Sequence, residues 1–269
     1  MIILVTGASG GLGQVLCQRL TEVGHTVYGT QRKPDDGSTD THTMLAMEVS
    51  DDASVQACID QIVADQGRID VVINCVNLMM IGAVEECSLA EIEQLYATNV
   101  FGVMRVCRAV LPHMRQQGGG TIVNMSSLGG LLAVPRMSAY TSAKFALEAY
   151  SEALYHEVRS AGIDVVIMQP VAMYMDRPAT GHHLQLASGV TEDSLSHQMV
   201  ALMAKDTADS KLTPQMVAEK ILQVVQSANK PLRVPMDRAK AIGLVKRLAP
   251  QKMIDKLVGG LVERSAQSG

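Results

Sequence analysis

The sequence predicts an α/β fold in which one doubly wound parallel sheet of about seven strands carries helices on both faces. Short runs rich in β-branched residues alternate with segments of helical period along most of the chain, as in a parallel sheet with crossover helices. The first run leads directly into a glycine-rich loop and an amphipathic helix. Because the chain has 269 residues, 47% of them hydrophobic, it can bury one large core, and we expect residues 1–269 to form a single domain.

The elements follow in order along the chain. The β-branched runs predict strands at residues 2–6, 26–30, 43–48, 71–74, 121–125, 164–169 and 232–234. Apolar residues at helical spacing predict helices at residues 11–23, 52–66, 91–116, 138–160 and from Pro214 to about residue 228. The last twenty residues are expected to form an amphipathic helix with a frayed end.

The stretch at about 175–213 is rich in polar and small residues and poor in β-branched ones. A segment of this length in a compact α/β domain is more often a substrate-binding lid than a linker, so we predict a lid here and a C-terminal helical extension at about 214–265. His182, His183 and His197 lie in the lid without the spacing and carboxylate support of a zinc site. No metal is therefore predicted.

Composition and charge argue against several classes of protein. The formal net charge of −4 and the aromatic content of 3% favour neither phosphate neutralisation nor base stacking, so nucleic acid is not an expected partner. The five cysteines are scattered and form no C-x-x-C pair, which is typical of neither a disulfide framework nor a zinc knuckle. The chain contains no run near the roughly 20 apolar residues that span a bilayer and no signal peptide, so a cytoplasmic location is expected.

The loop Thr6-Gly7-Ala8-Ser9-Gly10-Gly11-Leu12-Gly13 separates the first predicted strand from the first predicted helix. Glycines there allow a tight turn and a close approach of the backbone to a pyrophosphate, and the helix N-terminus offers N–H donors to the anion. The candidate cofactor-binding residues of this loop are Gly7, Ser9, Gly11, Leu12 and Gly13. The alternative is a tight turn that binds no ligand.

Tyr140 and Lys144 are four residues apart near the start of a predicted helix, so their side chains share one face. A phenol with a pKa of about 10 is a poor acid or base near neutrality, but a neighbouring ammonium is expected to lower that pKa. The hydroxyl of Ser127, just after the fifth predicted strand, is placed to polarise a carbonyl oxygen at the same point. Taken alone, Tyr140 and Lys144 would be read as part of an ordinary exposed helix face.

In combination these motifs resemble those of the short-chain dehydrogenase/reductase family. The matching segments are the loop at 6–13, Tyr96-Ala97-Thr98-Asn99-Val100-Phe101-Gly102, Asn124-Met125-Ser126-Ser127 and Tyr140-Thr141-Ser142-Ala143-Lys144. They follow the family's order over residues 1 to about 170. The resemblance implies a Rossmann-type fold, a nicotinamide cofactor and a homodimer or homotetramer.

The resemblance also implies a catalytic tetrad. Tyr140 would be the general acid/base, and Ser127, rather than Ser126, would orient the substrate oxygen. Lys144 would bind the nicotinamide ribose, and Asn99 would hold a water of a proton relay. The cofactor contacts implied outside the glycine loop are Thr30, Gln31, Arg32, Glu48, Val49, Asn74, Tyr140, Lys144 and Pro170.

The residues at the end of the second predicted strand indicate whether the cofactor is NAD(H) or NADP(H). An adenosine 2′-hydroxyl is usually bound by a carboxylate there, whereas a 2′-phosphate needs a cation. The segment 27–33 contains no acid, and Asp35 is the first one after it. We therefore predict NADP(H) rather than NAD(H), with Arg32 as the principal phosphate contact and Thr30, Gln31 and Lys33 nearby. The alternative is a solvated basic turn.

Several positions beside the expected cofactor depart from the family's pattern. They are Cys75, Val76 and Asn77 in place of Asn-Ala-Gly, Glu48 in place of Asp, and Val171 and Met175 in place of Gly and Thr. A Cβ at residue 171 is expected to crowd the nicotinamide or to shift the chain. Either the pocket is remodelled and keeps the redox chemistry of the family, or it serves non-redox chemistry or cofactor-dependent binding.

The function predicted from the sequence is an NADP(H)-dependent oxidoreductase that interconverts an alcohol and a ketone or aldehyde on a hydrophobic small molecule. The segment after Pro214 resembles hydroxysteroid and retinol dehydrogenases, which implies a lipophilic substrate. The methionines near the expected site are either ordinary core or an adaptable pocket. They are Met79, Met80, Met125, Met137, Met168, Met173 and Met175. The alternatives are a non-redox lyase, isomerase or cyclase, or a nucleotide-binding sensor.

Overall fold

The computed structural model describes residues 1–33, 41–174 and 184–266. Its strands are β1 (Ile2–Thr6), β2 (Thr26–Gln31), β3 (Thr43–Ala46), β4 (Val71–Asn74), β5 (Met79–Ile81), β6 (Gly120–Met125), β7 (Ile163–Gln169), β8 (Leu184–Leu186) and β9 (Arg233–Pro235). Seven of them form one parallel sheet in the order β3-β2-β1-β4-β6-β7-β9. The predicted doubly wound sheet is therefore confirmed.

Helices cover both faces of this sheet. They are α1 (Gly11–Glu22), α2 (Asp52–Gln66), α3 (Leu89–Tyr96), α4 (Gly102–Gln116), α5 (Ser138–Val158), α6 (Leu195–Ala208), α7 (Pro214–Gln226), α8 (Ala239–Leu248) and α9 (Gln251–Ala266). The helix ends follow local chemistry. The Asp51 carboxylate accepts hydrogen bonds from the first amides of α2, and Gly67 ends that helix at φ 73°, in the left-handed region that glycine tolerates best.

The core lies in two layers because the central strands are buried on both faces. Ile3 and Val5 of β1 point to the layer that contains α1 and α7, whereas Leu4 between them points to the layer that contains α2, α4 and part of α5. All three side chains are fully buried. This explains why the strand reads as a continuous apolar run rather than as an alternation.

One predicted helix is wrong in its continuity. The helix predicted at 91–116 is α3 and α4 joined by a π-helical turn, Ala97–Phe101, in which the hydrogen bonds widen by one residue. The helix predicted over the last twenty residues corresponds to α9, whereas α8, which Pro250 separates from α9, was not predicted. Strand β3 ends at Ala46 rather than at residue 48, since the Glu48 N–H donates to Ser54 Oγ of α2.

The predicted lid at 175–213 is only partly a loop. From residue 184 onward it contains β8, which pairs in parallel with β5, and helix α6. Its segment 175–183, which includes Met175, His182 and His183, lies outside the described residues. The Glu86 carboxylate accepts hydrogen bonds from the hydroxyls of Ser194 and Ser196, so the start of α6 is fastened to the loop that follows β5.

Candidate active site

The predicted site residues converge at the carboxyl edge of the sheet. The loops after β1, β4, β6 and β7 all open on this edge, and the chain reverses its winding direction between β1 and β4. Ligands of open α/β sheets bind in the crevice at such a reversal point.

The loop after β1 has the geometry of a diphosphate cradle. Gly7 has φ 70°, and a Cβ on Gly13 would stand 2.3 Å from the Gly7 carbonyl oxygen, so both positions require glycine. Gly10 caps α1 without a side chain, and the first turn of α1 carries no acid. The amides at the start of α1 are therefore available to an anion, and the loop fits the pyrophosphate of a dinucleotide.

The end of β2 lies next to this loop, because the Ala8 N–H donates to the Thr30 carbonyl at 2.8 Å. Thr30 is buried and its hydroxyl turns to the Met47 sulfur, while the Gln31 amide donates to the Lys33 carbonyl at 3.0 Å. Arg32 is exposed. Of the predicted phosphate contacts, Arg32 and Lys33 are thus both exposed cations, and Asp35 lies outside the described residues.

Asn74, at the end of β4, turns its side chain into the protein rather than toward the crevice. It is 3% exposed, and its Nδ2 donates to Asn124 Oδ1 at 2.8 Å. Asn124 donates in turn to Ser151 Oγ of α5 at 2.9 Å. The structure places Asn74 in a buried polar chain that ties β4, β6 and α5 together.

The remaining predicted cofactor contacts lie after β3 and β7. The Glu48 carboxylate accepts hydrogen bonds from the N–H and the hydroxyl of Ser50, and Val49 is buried against Gly102. Pro170 is buried, and its carbonyl accepts the Leu128 N–H at 2.9 Å. Pro170 therefore fastens the turn that follows Ser127.

Tyr140 lies in the first turn of α5 and is 4% exposed. Burial raises the pKa of its phenol above the ordinary value of 10.0, and hydrogen bonds with the side chains of Ser127 and Asn77 act in the opposite direction. A Cβ on Gly129 would stand 3.1 Å from the Tyr140 ring, so the turn after Ser127 packs directly on it. Ser126 is buried instead, and the hydroxyl that reaches Tyr140 is that of Ser127.

Lys144 is 2% exposed and donates from Nζ to the Met125 carbonyl at 2.9 Å. Burial lowers the pKa of this ammonium to about 8, and the neighbouring groups Cys75 and Glu148 oppose that shift. Nζ lies 5.7 Å from the centroid of the Tyr140 ring. The sequence predicts that Lys144 lowers the pKa of Tyr140, but in the structure the ammonium is held by Met125 and burial of the phenol dominates.

Asn99 lies in the π-helical turn and is 1% exposed. Its Oδ1 accepts the Leu78 N–H at 2.8 Å and its Nδ2 donates to the Leu78 carbonyl at 2.7 Å. Both polar atoms of the side chain are thus engaged by one residue. Because Asn77 precedes Leu78, this clamp holds Asn77 beside Tyr140, a contact that sequence reasoning missed.

Val171 packs into the core. It is 5% exposed and belongs to the core layer that contains Met125, Met168 and helix α7. Whether its Cβ crowds a bound nicotinamide or shifts the chain stays a prediction.

An apolar cluster surrounds Tyr140. It includes Met80, Met137, Leu95 and Met199, with Met79 packed against it. Met125, Met168 and Met173 belong instead to the layer under α1 and α7, and Met175 lies outside the described residues. Three of the seven methionines singled out in the sequence thus form a wall beside the phenol.

Other features of the described residues concern metals, membranes and thiols. Within residues 1–33, 41–174 and 184–266, no group of three or more His, Cys, Asp or Glu side chains is arranged to hold a metal ion. None of the helices in those ranges is both long and apolar enough to cross a bilayer. All five cysteines are free thiols.

Comparisons with known proteins agree with this architecture. The sequence profile of the family described as short chain dehydrogenase matches residues 1–180. A 3-ketodihydrosphingosine reductase from Bacteroides thetaiotaomicron is 44% identical over 169 residues, and this match covers 63% of the chain and 62% of that protein, less than two thirds of either.

Two further relatives match over nearly the whole chain. An uncharacterized oxidoreductase from Bacillus subtilis, YusZ, is 30% identical over 91% of this chain and 92% of its own. The crystal structure of a short-chain dehydrogenase from Streptomyces avermitilis superimposes with a TM-score of 0.80 and 29% identity, over 99% of this chain and 96% of that one.

Proposed function

The chain belongs to the short-chain dehydrogenase family, and on that premise we propose that it is an NADP(H)-dependent oxidoreductase that interconverts an alcohol and a ketone or aldehyde on a hydrophobic small molecule. One observation carries the proposal. A buried phenol, Tyr140, is hydrogen-bonded to Ser127 and lies next to the ammonium of Lys144, at the same sheet edge as a glycine loop that fits a pyrophosphate.

In the proposed mechanism the chain's own groups handle orientation and the proton. The cofactor would be held by Gly7, Ser9, Gly11, Leu12 and Gly13. When bound, its nicotinamide supplies the hydride acceptor or donor. In the reductive direction, Tyr140 gives its phenolic proton to the substrate oxygen while the Ser127 hydroxyl donates a hydrogen bond to it.

The nearby ammonium stabilises the phenolate that Tyr140 becomes in this step. The Lys144 Nζ is buried and 5.7 Å from the Tyr140 ring centroid, so its charge acts through a medium of low dielectric constant. Asn99 contributes by clamping Leu78, which keeps the Asn77 amide next to the reacting oxygen. Asn99 would still hold a water of a proton relay, because its Oδ1 can accept a second hydrogen bond beside the one from Leu78.

The apolar cluster around Tyr140 supports a lipophilic substrate. Its methionines offer a flexible apolar wall. The relative from Bacteroides thetaiotaomicron is a reductase of 3-ketodihydrosphingosine, so we extend the proposal to a ketone carried on a long aliphatic chain.

The test of this function is turnover of such a ketone. We expect purified protein to oxidise NADPH in the presence of 3-ketodihydrosphingosine or another long-chain ketone and to form the matching alcohol by mass spectrometry, with short-chain ketones as matched controls that react more slowly. Consumption of substrate without oxidation of NADPH would favour a lyase, isomerase or cyclase. Binding of NADPH with no conversion of any ketone, steroid or retinoid would favour a nucleotide-binding sensor.

Arg32 tests the choice of cofactor. Arg32→Glu replaces an exposed cation by a carboxylate that repels a 2′-phosphate and suits a 2′-hydroxyl. We expect NADPH to bind about 100-fold more weakly while NADH binding stays equal or improves, as measured by nicotinamide fluorescence. Lys220→Glu makes the same charge change at an exposed position of α7 and should leave the affinities for NADPH and NADH unchanged. An unaltered preference in Arg32→Glu would remove Arg32 from the cofactor site.

A further inference from the structure

A buried carboxylate lies one helical turn beyond Lys144. Glu148 is 7% exposed and stands four residues after Lys144 on α5, so the two side chains share a face of the helix. Glu148 and the Cys75 thiol after β4 are the two groups that raise the pKa of Lys144. Burial raises the pKa of the Cys75 thiol itself to about 12. Cys75 is therefore uncharged near neutral pH, and Glu148 supplies the negative charge.

The Glu148 carboxylate is fixed at both oxygens. Gln169, which ends β7 and is 1% exposed, donates from Nε2 to Oε1 at 2.9 Å. Arg233 of β9 donates from Nε to Oε2 at 3.0 Å. Each partner comes from a different strand of the main sheet, so Glu148 cannot turn toward solvent without breaking one buried and one partly buried contact.

Arg233 also binds a second carboxylate, which provides a built-in comparison. Glu152 lies four residues after Glu148 on α5, accepts a hydrogen bond from the Arg233 guanidinium at 2.6 Å and is half exposed. The two glutamates thus share helix, partner and chemistry. They differ in burial and in distance along the helix from Lys144.

We propose that Glu148 is a positioning residue for the catalytic lysine, which it keeps protonated and aimed at Met125 and the Tyr140 ring. The effect of Glu148 on catalysis rests on the proposed function. The effect of its carboxylate on the protonation of Lys144 does not, because it depends only on the folded chain. A buried ammonium without a nearby counter-charge tends to lose its proton, and a neutral Lys144 would no longer stabilise the phenolate. Gln169 and Arg233 hold the counter-charge in place.

The charged and titratable groups around this pair are few. Tyr140 on α5 and Cys75 after β4 face Lys144, and Arg233 of β9 faces Glu148. Glu148→Gln keeps the size of the side chain and one acceptor oxygen, which can hold Arg233 while Gln169 turns its own amide oxygen toward the new NH2 group, and it removes the negative charge. We expect the pKa of Lys144 to fall by about one unit from its value of about 8.

The experiment is an NMR titration of isotope-labelled lysine in the full chain without substrate, with the Lys144 signal assigned by its loss in Lys144→Arg. Glu152→Gln is the matched control and should leave the Lys144 titration where it is. In turnover assays, the high-pH limb of the kcat profile should move to lower pH by the same amount in Glu148→Gln only. An unchanged Lys144 titration in Glu148→Gln, or an equal shift in Glu152→Gln, overturns the proposal.

Two further results keep the test decisive. If Glu148→Gln is not recovered folded because Arg233 loses its buried partner, the double variant Glu148→Gln/Arg233→Gln removes both charges; the pKa of Lys144 should then be lower than in Arg233→Gln alone, and an equal or higher pKa overturns the proposal. If no ketone is turned over at all, the proposed function fails, whereas the NMR titration still decides the role of Glu148 because it needs no turnover.

Discussion

Replacing Tyr140 by Phe is expected to lower kcat by about a thousandfold, the middle of the range for loss of a general acid/base. The substitution removes one oxygen from a side chain that is 4% exposed and leaves the ring against Gly129. The phosphate loop is untouched, so NADPH affinity should change by less than about threefold. Steady-state kinetics with the best ketone, together with fluorescence titration of NADPH, measures both quantities.

Tyr155→Phe is the matched control for this result. It makes the same change on the same helix, at a half-buried ring that contacts His156 and Arg159 and lies far along α5 from the crevice. Its kcat should equal that of the wild type. Tyr140→Phe protein that retained more than about a tenth of wild-type kcat would exclude Tyr140 as the proton donor.

Gly13→Ala is expected to damage both stability and cofactor binding. The new Cβ would stand 2.3 Å from the Gly7 oxygen and 2.8 Å from the Ala8 Cα, which are backbone atoms and cannot move aside independently. Overpacking of this kind costs about 2–3 kcal/mol of unfolding free energy. Because the shifted backbone also misdirects the amides of the loop, we expect the Kd for NADPH to rise by about 100-fold.

Gly259→Ala controls for the chemical change alone. An added Cβ at this helical position meets no atom within 4 Å, so the protein should be as stable as the wild type or slightly more stable. Thermal denaturation with and without NADPH gives both effects. A Gly13→Ala protein with wild-type melting temperature and NADPH affinity would contradict the close approach of Gly13 to Gly7.

The main sheet could be predicted because its central strands are buried on both faces. The predicted strands at 2–6 and 71–74 coincide with β1 and β4, since continuous β-branched runs between turn residues leave few alternatives. β5 and β8 were not predicted, because three-residue strands about a hundred positions apart carry no measurable periodicity. The π-helical turn at Ala97–Phe101 was missed because its apolar spacing fits an α-helix equally well.

The identities of the candidate catalytic residues could be predicted, but their surroundings could not. A local motif places Tyr140 and Lys144 on one face, whereas the contacts of Tyr140 with Asn77 and of Glu148 with Arg233 join segments far apart in sequence. The net rise in the pKa of Tyr140 could not be predicted for the same reason. Burial of the phenol and the hold of Met125 on the ammonium depend on tertiary packing.

The buried amide pair between β4 and β6 has a consequence for how the sheet assembles. Asn74 stands opposite Asn124, and all neighbouring pairs but one are aliphatic, such as Ile73 with Val123. Sliding β4 by two residues would keep every aliphatic side chain on its proper face yet set Asn74 against Ile122, stranding an amide in hydrocarbon. The pair therefore fixes the register of β4 against β6, and with it the relative height of the loops that follow these two strands.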